Sequence, residues 1–179
     1  MISFPLWQEL PELDLYLDQV LLYVNSVNQK AFPGQEKVLT AAMINNYVKH
    51  AHIQKPIKKK YNRVQIARLI ILTTLKPVFP IQDIIETVEF LVKNQESSEH
   101  FYNQFVSYMK EETDTEIHPL VSSACQTVKL YHQTRQLSLE LKGEHPNESN
   151  HDDNIERFLD AMNKRYPVIL ENPFETCMS

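Results

Sequence analysis

Glycine is nearly absent from this sequence. Only Gly34 and Gly143 occur among 179 residues, where a usual share of about 7% would give roughly twelve. Phosphate-cradling loops and dinucleotide-binding fingerprints both need several closely spaced glycines. The scarcity therefore excludes a P-loop or Rossmann site, so we expect no nucleotide cofactor. It also favours a helical chain with few turns that need positive φ.

Cysteine is scarce as well. Cys125 and Cys177 are too few and too far apart for a disulfide framework, so we expect reduced thiols and a cytoplasmic protein. A metal site that uses cysteine needs several ligands close together, and here only Cys125 and His132 could share a helix face. A small buried thiol is the simpler interpretation, and we expect no metal and no other cofactor.

Long hydrophobic runs are missing too. No segment approaches the roughly 18 apolar residues of a membrane span, so we expect no membrane partner. The first residues, MISFPLWQELPEL, lack the basic start and cleavage-like end of a secretory signal. For an enzyme, the sequence offers no Ser-His-Asp order, no paired carboxylates in an apolar setting and no H-E-x-x-H helix. We therefore expect a protein that is not an enzyme.

Acidic residues are missing from one long stretch. Residues 37–82 hold nine Lys or Arg and no Asp or Glu, whereas the other 133 residues hold nine basic and 23 acidic side chains. The overall net charge of −5 hides this asymmetry. Segregation of charge within a chain points to a polyanionic partner more strongly than net charge does.

Within this basic stretch the spacing predicts a helix over residues 41–51, with Thr40 as its N-cap. Its apolar stripe comprises Ile44, Tyr47, Val48 and Ala51. Its opposite face comprises Asn45, Asn46, Lys49 and His50. Two adjacent Asn within a helix cost stability, which is easier to explain if their amides bond a base edge or a phosphate. The alternative is that both merely face water.

A short basic segment follows at residues 55–61, KPIKKKY, which we name the wing segment. Pro56 ends the helical pattern and restricts Lys55 to extended geometry. The run Lys58, Lys59 and Lys60 comes next. The segment therefore predicts a short extended loop that reaches a phosphate backbone, and the alternative is an ordinary solvated surface.

Helices are predicted on both sides of these elements. Asn62 is an N-cap for VQIARLIILTTLK, which is apolar almost all round except for a strip of Gln65, Arg68 and Lys76, as in the centre of a small domain. After Pro77 and Pro80, a helix from Ile81 carries Ile84, Ile85, Val88, Leu91 and Val92 on one face.

Before the basic stretch, residues 12–29 predict an amphipathic helix with Leu13, Leu17, Val20, Val24 and Val27 at helical spacing. A loop with Pro33 and Gly34 joins this helix to the basic stretch.

The carboxyl half is predicted to be helical as well. Ser97 or Ser98 caps a helix whose apolar face comprises Phe101, Phe105, Tyr108 and Met109. A long helix then runs from Pro119 to Leu141 with two stripes: Val121, Ala124, Cys125, Val128 and Tyr131 on one side, and Leu130, Leu137 and Leu141 on another. The second stripe suits a second copy of the chain, giving a homodimer, unless both stripes pack within one chain. Residues 143–154 predict a polar linker, and a helix from Ile155 and a tail follow.

Three separated motifs carry a resemblance to known families. The runs TAAMINNYVKHAHIQKP, KYNRVQIARLIILTTLK and FPIQDI resemble the winged-helix head of MerR-like regulators. The residues that match this pattern are Thr40, Ile44, Asn45, Tyr47, Lys49, Ile53, Pro56, Tyr61, Leu69, Leu72, Ile81 and Ile84. The combination of LDLYLDQVL, MINNYVK and KKKYNR resembles still more closely the YkrK-like proteins of Gram-positive bacteria, whose function is unknown; it covers about the first 95 residues.

These observations and the resemblance together predict a mainly helical protein with three parts. A winged-helix head spans residues 1–94, a helical dimerisation or effector region spans 95–142, and the linker and tail span 143–179. We expect a transcriptional regulator that binds double-stranded DNA. The residues predicted to bind DNA are Lys55, Lys58, Lys59, Lys60 and Arg68 at phosphates, Asn45, Asn46 and Lys49 in the major groove, Tyr47 and Tyr61 shaping the site, and Thr40 and Arg63 beside them.

Two further hypotheses remain. The first is a protein-interaction adaptor whose winged-helix head has lost DNA binding and whose acidic carboxyl half docks a partner. The second, which is compatible with DNA binding, is a small-molecule sensor in the carboxyl half that responds to an unknown effector.

Overall fold

The computed structural model describes residues 2–33, 39–94, 97–111 and 118–143. In these ranges six α-helices accompany one antiparallel pair of two-residue strands, so the protein is mainly helical, as predicted. The helices are α1 (Leu17–Ala31), α2 (Ala41–Lys49), α3 (Arg63–Leu75), α4 (Ile81–Asn94), α5 (Ser98–Lys110) and α6 (Pro119–Leu141). The strands are β1 (Leu15–Tyr16) and β2 (Lys60–Tyr61), and a 3₁₀ turn spans Trp7–Glu9. The chain divides into two compact units, Met1–His132 and Gln133–Ser179.

Helix α3 is the centre of the first unit, as its uniformly apolar sequence predicts. Its capping is reciprocal, because the Asn62 side chain accepts from the Gln65 backbone N–H at 3.0 Å and the Gln65 side chain accepts from the Asn62 N–H at 2.7 Å. Gln65 is buried, so it does not belong to the exposed polar strip predicted for this helix. In the core, Asn28 of α1 donates to the Thr73 hydroxyl at 2.9 Å, which pairs two buried polar groups.

Helix α1 begins later than the pattern over residues 12–29 predicts. Leu15 and Tyr16 instead form β1, which pairs with Tyr61 and Lys60 of β2. Leu13, predicted to be in the apolar stripe, is 81% exposed, and that prediction was wrong. The backbone before Leu17 makes its hydrogen bonds with a strand about 45 positions away, and an amphipathic pattern cannot reveal such a partner. Further along α1, Val20, Val24 and Val27 are buried as predicted.

Helix α2 confirms its predicted start and ends earlier than predicted. The Thr40 hydroxyl accepts from the Met43 N–H at 3.3 Å, as an N-cap should. The helix ends at Lys49, and Ala51 lies beyond it, exposed and with φ of 58°. The prediction that Ala51 belongs to the buried stripe was wrong. The N–H groups of His52 and Ile53 both bond the Tyr47 carbonyl, which turns the chain and brings Ile53 into the core.

The core continues past residue 94, the predicted end of the head. Ser97 caps α5, and Phe105 of α5 packs edge-on against Phe4 with ring centroids 5.6 Å apart. Residues Val121, Cys125 and Val128 of α6 are buried in the same core, as predicted for that stripe. Tyr131, predicted in the same stripe, is exposed, and that part of the prediction was wrong. On the second α6 stripe, Leu130 and Leu141 are exposed and Leu137 is half-buried. The predicted linker beyond Gly143, the helix from Ile155 and most of the loop after Pro33 lie outside the described residues.

Candidate nucleic-acid interface

The outward arc of α2 is polar, and every residue predicted on it is exposed: Asn45, Asn46, Lys49 and His50. The Asn46 carbonyl accepts from both the backbone N–H and the ring Nδ1 of His50, at 3.0 and 2.9 Å, which fixes that ring at the end of the helix. Within the described ranges no group bonds the side-chain amide of Asn45 or Asn46. Two neighbouring amides are therefore available to a ligand.

The wing segment forms a tight turn and not the extended loop predicted from Pro56. Ile57 and Lys60 exchange two backbone hydrogen bonds of 3.1 and 2.9 Å, and they enclose Lys58 and Lys59. The two enclosed residues have φ of 50° and 64°. Positive φ at both central positions is the geometry of a type I′ turn, where Asn-Gly is usual because a Cβ is disfavoured there. Each lysine thus holds a backbone strain of order 1 kcal/mol.

Four of the basic side chains in this region are exposed: Lys49, Lys55, Lys58 and Lys59. No acidic residue of the described part of the chain forms an ion pair with any of them. Two of the four project from the strained turn, and one belongs to α2. Their charges are therefore uncompensated at the surface, which is what a phosphate-binding surface requires.

The other cations of the stretch that the structure describes, Lys60, Arg63, Arg68 and Lys76, make contacts within the protein or are partly buried. Arg63 lies 3.9 Å from Glu12, donates to the Pro11 carbonyl at 3.4 Å, and stacks over the Trp7 ring. Arg68 lies 3.5 Å from Glu89. The Lys60 ammonium lies over the Tyr16 ring, and burial lowers the pKa of half-buried Lys76. Both arginines predicted to bind DNA thus have partners within the protein, and their contacts join parts of the fold that are distant in the sequence.

The two tyrosines predicted to shape the site are core residues. Tyr47 is only 2% exposed and Tyr61 is also buried, and burial raises the pKa of both phenols. Neither ring is available for direct contact with DNA. The Tyr47 hydroxyl has no hydrogen-bond partner among the described residues. These side chains hold α2 and β2 against the core, so their contribution to an interface is indirect.

One feature of this surface has no signal in the sequence. The tight turn at Lys58 and Lys59 lacks the Asn-Gly pair by which such turns are recognised. Lys60 pairs with Tyr16 of β1 on one side and with Ile57 on the other, so the turn lies against the strand pair. The same turn leaves Ile57 71% exposed, an apolar neighbour that the charge pattern does not predict.

The described residues contain no group of three or more His, Cys, Asp or Glu side chains arranged to hold a metal ion. No described helix is both long and apolar enough to cross a membrane.

The fold and this surface define a mainly helical domain that carries a basic polar helix and a lysine turn on an otherwise acidic chain. Residues 5–105 match the model of the family described as a domain of unknown function, DUF1836. The match covers more than half of the chain, from before the 3₁₀ turn to Phe105 of α5, and the chain belongs to this family. No curated protein and no solved structure matches the chain.

Proposed function

We propose that this protein binds duplex DNA through the outward arc of α2 and the wing segment, and that it acts as a transcriptional regulator. The observation that carries the proposal is the turn at Lys58 and Lys59, where two exposed lysines without ion-pair partners in the described ranges occupy left-handed backbone positions. Such strain persists where the surrounding structure imposes it, and it concentrates at functional sites. Lysines on a narrow turn can reach the backbone phosphates along a groove of the DNA duplex.

The composition of α2 supports the same proposal. Its free amides at Asn45 and Asn46 can bond base edges, and Lys49 adds a charge on the same arc. A helix of this kind fits the major groove, where Asn bonds adenine bidentately. The resemblance to MerR-like regulators assigns the same two elements to DNA. We further propose a homodimer in the cytoplasm, joined through the exposed Leu130 side of α6.

Titration of labelled duplex over a series of salt concentrations tests this function. If Lys49, Lys55, Lys58 and Lys59 all meet phosphates, log K should fall with log salt with a slope of about −3 to −4 per protomer, at roughly 0.9 per contact. Random duplex suffices for this first measurement. A wild-type protein that does not bind duplex at low salt would exclude the proposal.

A second candidate is the adaptor that contacts another protein. The strong exposure of Ile57 beside the lysine turn favours it, because an apolar side chain gains little against a phosphate backbone and more in a protein interface. Competition separates the two functions. Displacement of the labelled duplex by unlabelled duplex but not by polyglutamate at equal charge supports DNA binding, whereas equal displacement by both favours an acidic protein partner.

A further inference from the structure

Helices α3, α4, α5 and α6 leave an apolar pocket of about 100 Å³ between them, on the far end of α3 from the wing segment. Each helix contributes to its wall. The apolar lining comprises Leu75, Phe79, Ile84, Val88, Leu91, Phe101, Phe105, Leu120, Val121, Ala124 and Cys125. Protein interiors are close-packed, with few spaces larger than a water molecule, so an unfilled apolar space among four helices is unusual.

The size and the lining restrict the occupant. An enclosed apolar cavity of about 150 Å³ accepts benzene. This pocket is smaller but opens to solvent on the Asp83 side, so it suits a short branched chain or a single ring that projects partly from it. The Cys125 thiol adds no charge to the wall, since burial raises its pKa to about 12. The interior therefore favours an uncharged hydrocarbon body.

The hydroxyl and carboxylate side chains of the lining both belong to α4. Asp83 and Thr87 line it from successive turns of α4, and Asp83 is exposed, so it lies where the pocket meets solvent. No cation of the described residues pairs with Asp83. A ligand with a hydrocarbon body in the pocket would place its own polar end beside an unpaired carboxylate.

We propose that this pocket binds a small apolar amine, with the hydrocarbon body among the aromatic and aliphatic side chains and the ammonium at Asp83. The neutral alcohol of the same shape fills the same space without the ion pair. The acid of the same shape places a second anion beside Asp83. The site is separate from the proposed DNA interface, and its test involves no DNA, so the two proposals fail independently.

Benzylamine and benzyl alcohol are the probes, titrated into isotopically labelled full-length protein and followed by amide chemical shifts. We expect benzylamine to bind about two- to fivefold more tightly than benzyl alcohol at low salt, the range of a partly exposed ion pair. Asp83→Asn should remove this preference and retain binding of the alcohol. Asp18→Asn is the matched control, because Asp18 is also an exposed carboxylate in the first turn of a helix.

Filling the pocket provides the second measurement. Ala124→Leu on α6, or Thr87→Met on α4, should abolish the shifts caused by both probes and leave the melting temperature unchanged or raised. Either variant that folds is sufficient. The proposal is overturned if neither probe binds at millimolar concentration, if both bind wild type equally, or if Asp83→Asn keeps the preference for the amine.

Discussion

The ammonium of Lys60 lies 4.8 Å from the centroid of the Tyr16 ring, and the two residues are direct partners in the β1–β2 ladder. A cation over an aromatic face at an exposed site contributes about 0.5–1 kcal/mol. This contact gives Lys60 a different role from the two lysines before it in the wing segment. Lys60 holds the segment to β1, while Lys58 and Lys59 project from the turn that the ladder supports.

The first prediction replaces the strained lysines by the residue that the turn geometry favours. In the double variant Lys58→Gly and Lys59→Gly, removal of two Cβ atoms at positive φ should leave the free energy of unfolding unchanged or raise it by about 1 kcal/mol. The negative slope of log K for duplex against log salt should meanwhile become shallower by about 1.8 units per protomer. Chemical denaturation and salt titration measure the two effects.

Lys60→Met is the matched control, because it removes one charge from the same segment. Loss of its contact with Tyr16 should lower stability by about 0.5–1 kcal/mol, with little change in the salt slope. A glycine variant that is stable and retains the full wild-type slope would place the turn outside the interface.

The second prediction concerns sequence preference. Asn45→Ala or Asn46→Ala should reduce the preference for a selected duplex by about 1–3 kcal/mol, because an Asn that bonds a base edge discriminates among bases. Binding to random duplex should stay nearly the same, since neither amide carries charge. The measurement is a selection from randomised duplexes, followed by titration of the best and a scrambled sequence. Equal losses on both sequences would assign the amides to phosphates.

The third prediction compares two buried tyrosines. The Tyr47 hydroxyl lacks a partner among the described residues, whereas the Tyr102 hydroxyl donates to the Pro5 carbonyl at 3.0 Å. Tyr47→Phe should therefore leave the free energy of unfolding unchanged or raise it. Tyr102→Phe should lower it by about 1 kcal/mol, the net value of a hydrogen bond. Urea denaturation of both variants decides this, and a larger loss for Tyr47→Phe would contradict the assignment.

The fourth prediction concerns assembly. Leu130 is 54% exposed on α6, so Leu130→Glu should dissociate a dimer that uses this side and leave folding almost unchanged. Gln126→Glu, which adds the same charge at an exposed position of the same helix, should retain the dimer. Sedimentation at micromolar concentration measures both. Wild-type protein that sediments as a monomer would remove the dimer from the proposal.

Local signals in the sequence by themselves determined the helices and where most of them start. Thr40 and Asn62 each cap a helix as predicted, and Ser97 does so as one of the two predicted serines, because a cap bonds a backbone N–H only three residues away. Helical spacing identified most of the buried face of α4, and on α5 it identified Phe101, Phe105 and Met109 but missed Tyr102 and Val106. The apolar sequence of α3 placed that helix at the centre. The exposed polar arc of α2 followed from the same periodicity.

Only the tertiary structure decided which basic residues have ion-pair partners and which do not. Arg63 and Arg68 differ from Lys58 and Lys59 because Glu12 and Glu89, distant in the chain, come within ion-pair distance of the arginines. The start of α1 and the lysine turn likewise depend on the pairing of β1 with β2 across about 45 residues. Periodicity and capping report short-range geometry, whereas strand pairing and ion pairs join residues whose proximity exists only after the chain has folded.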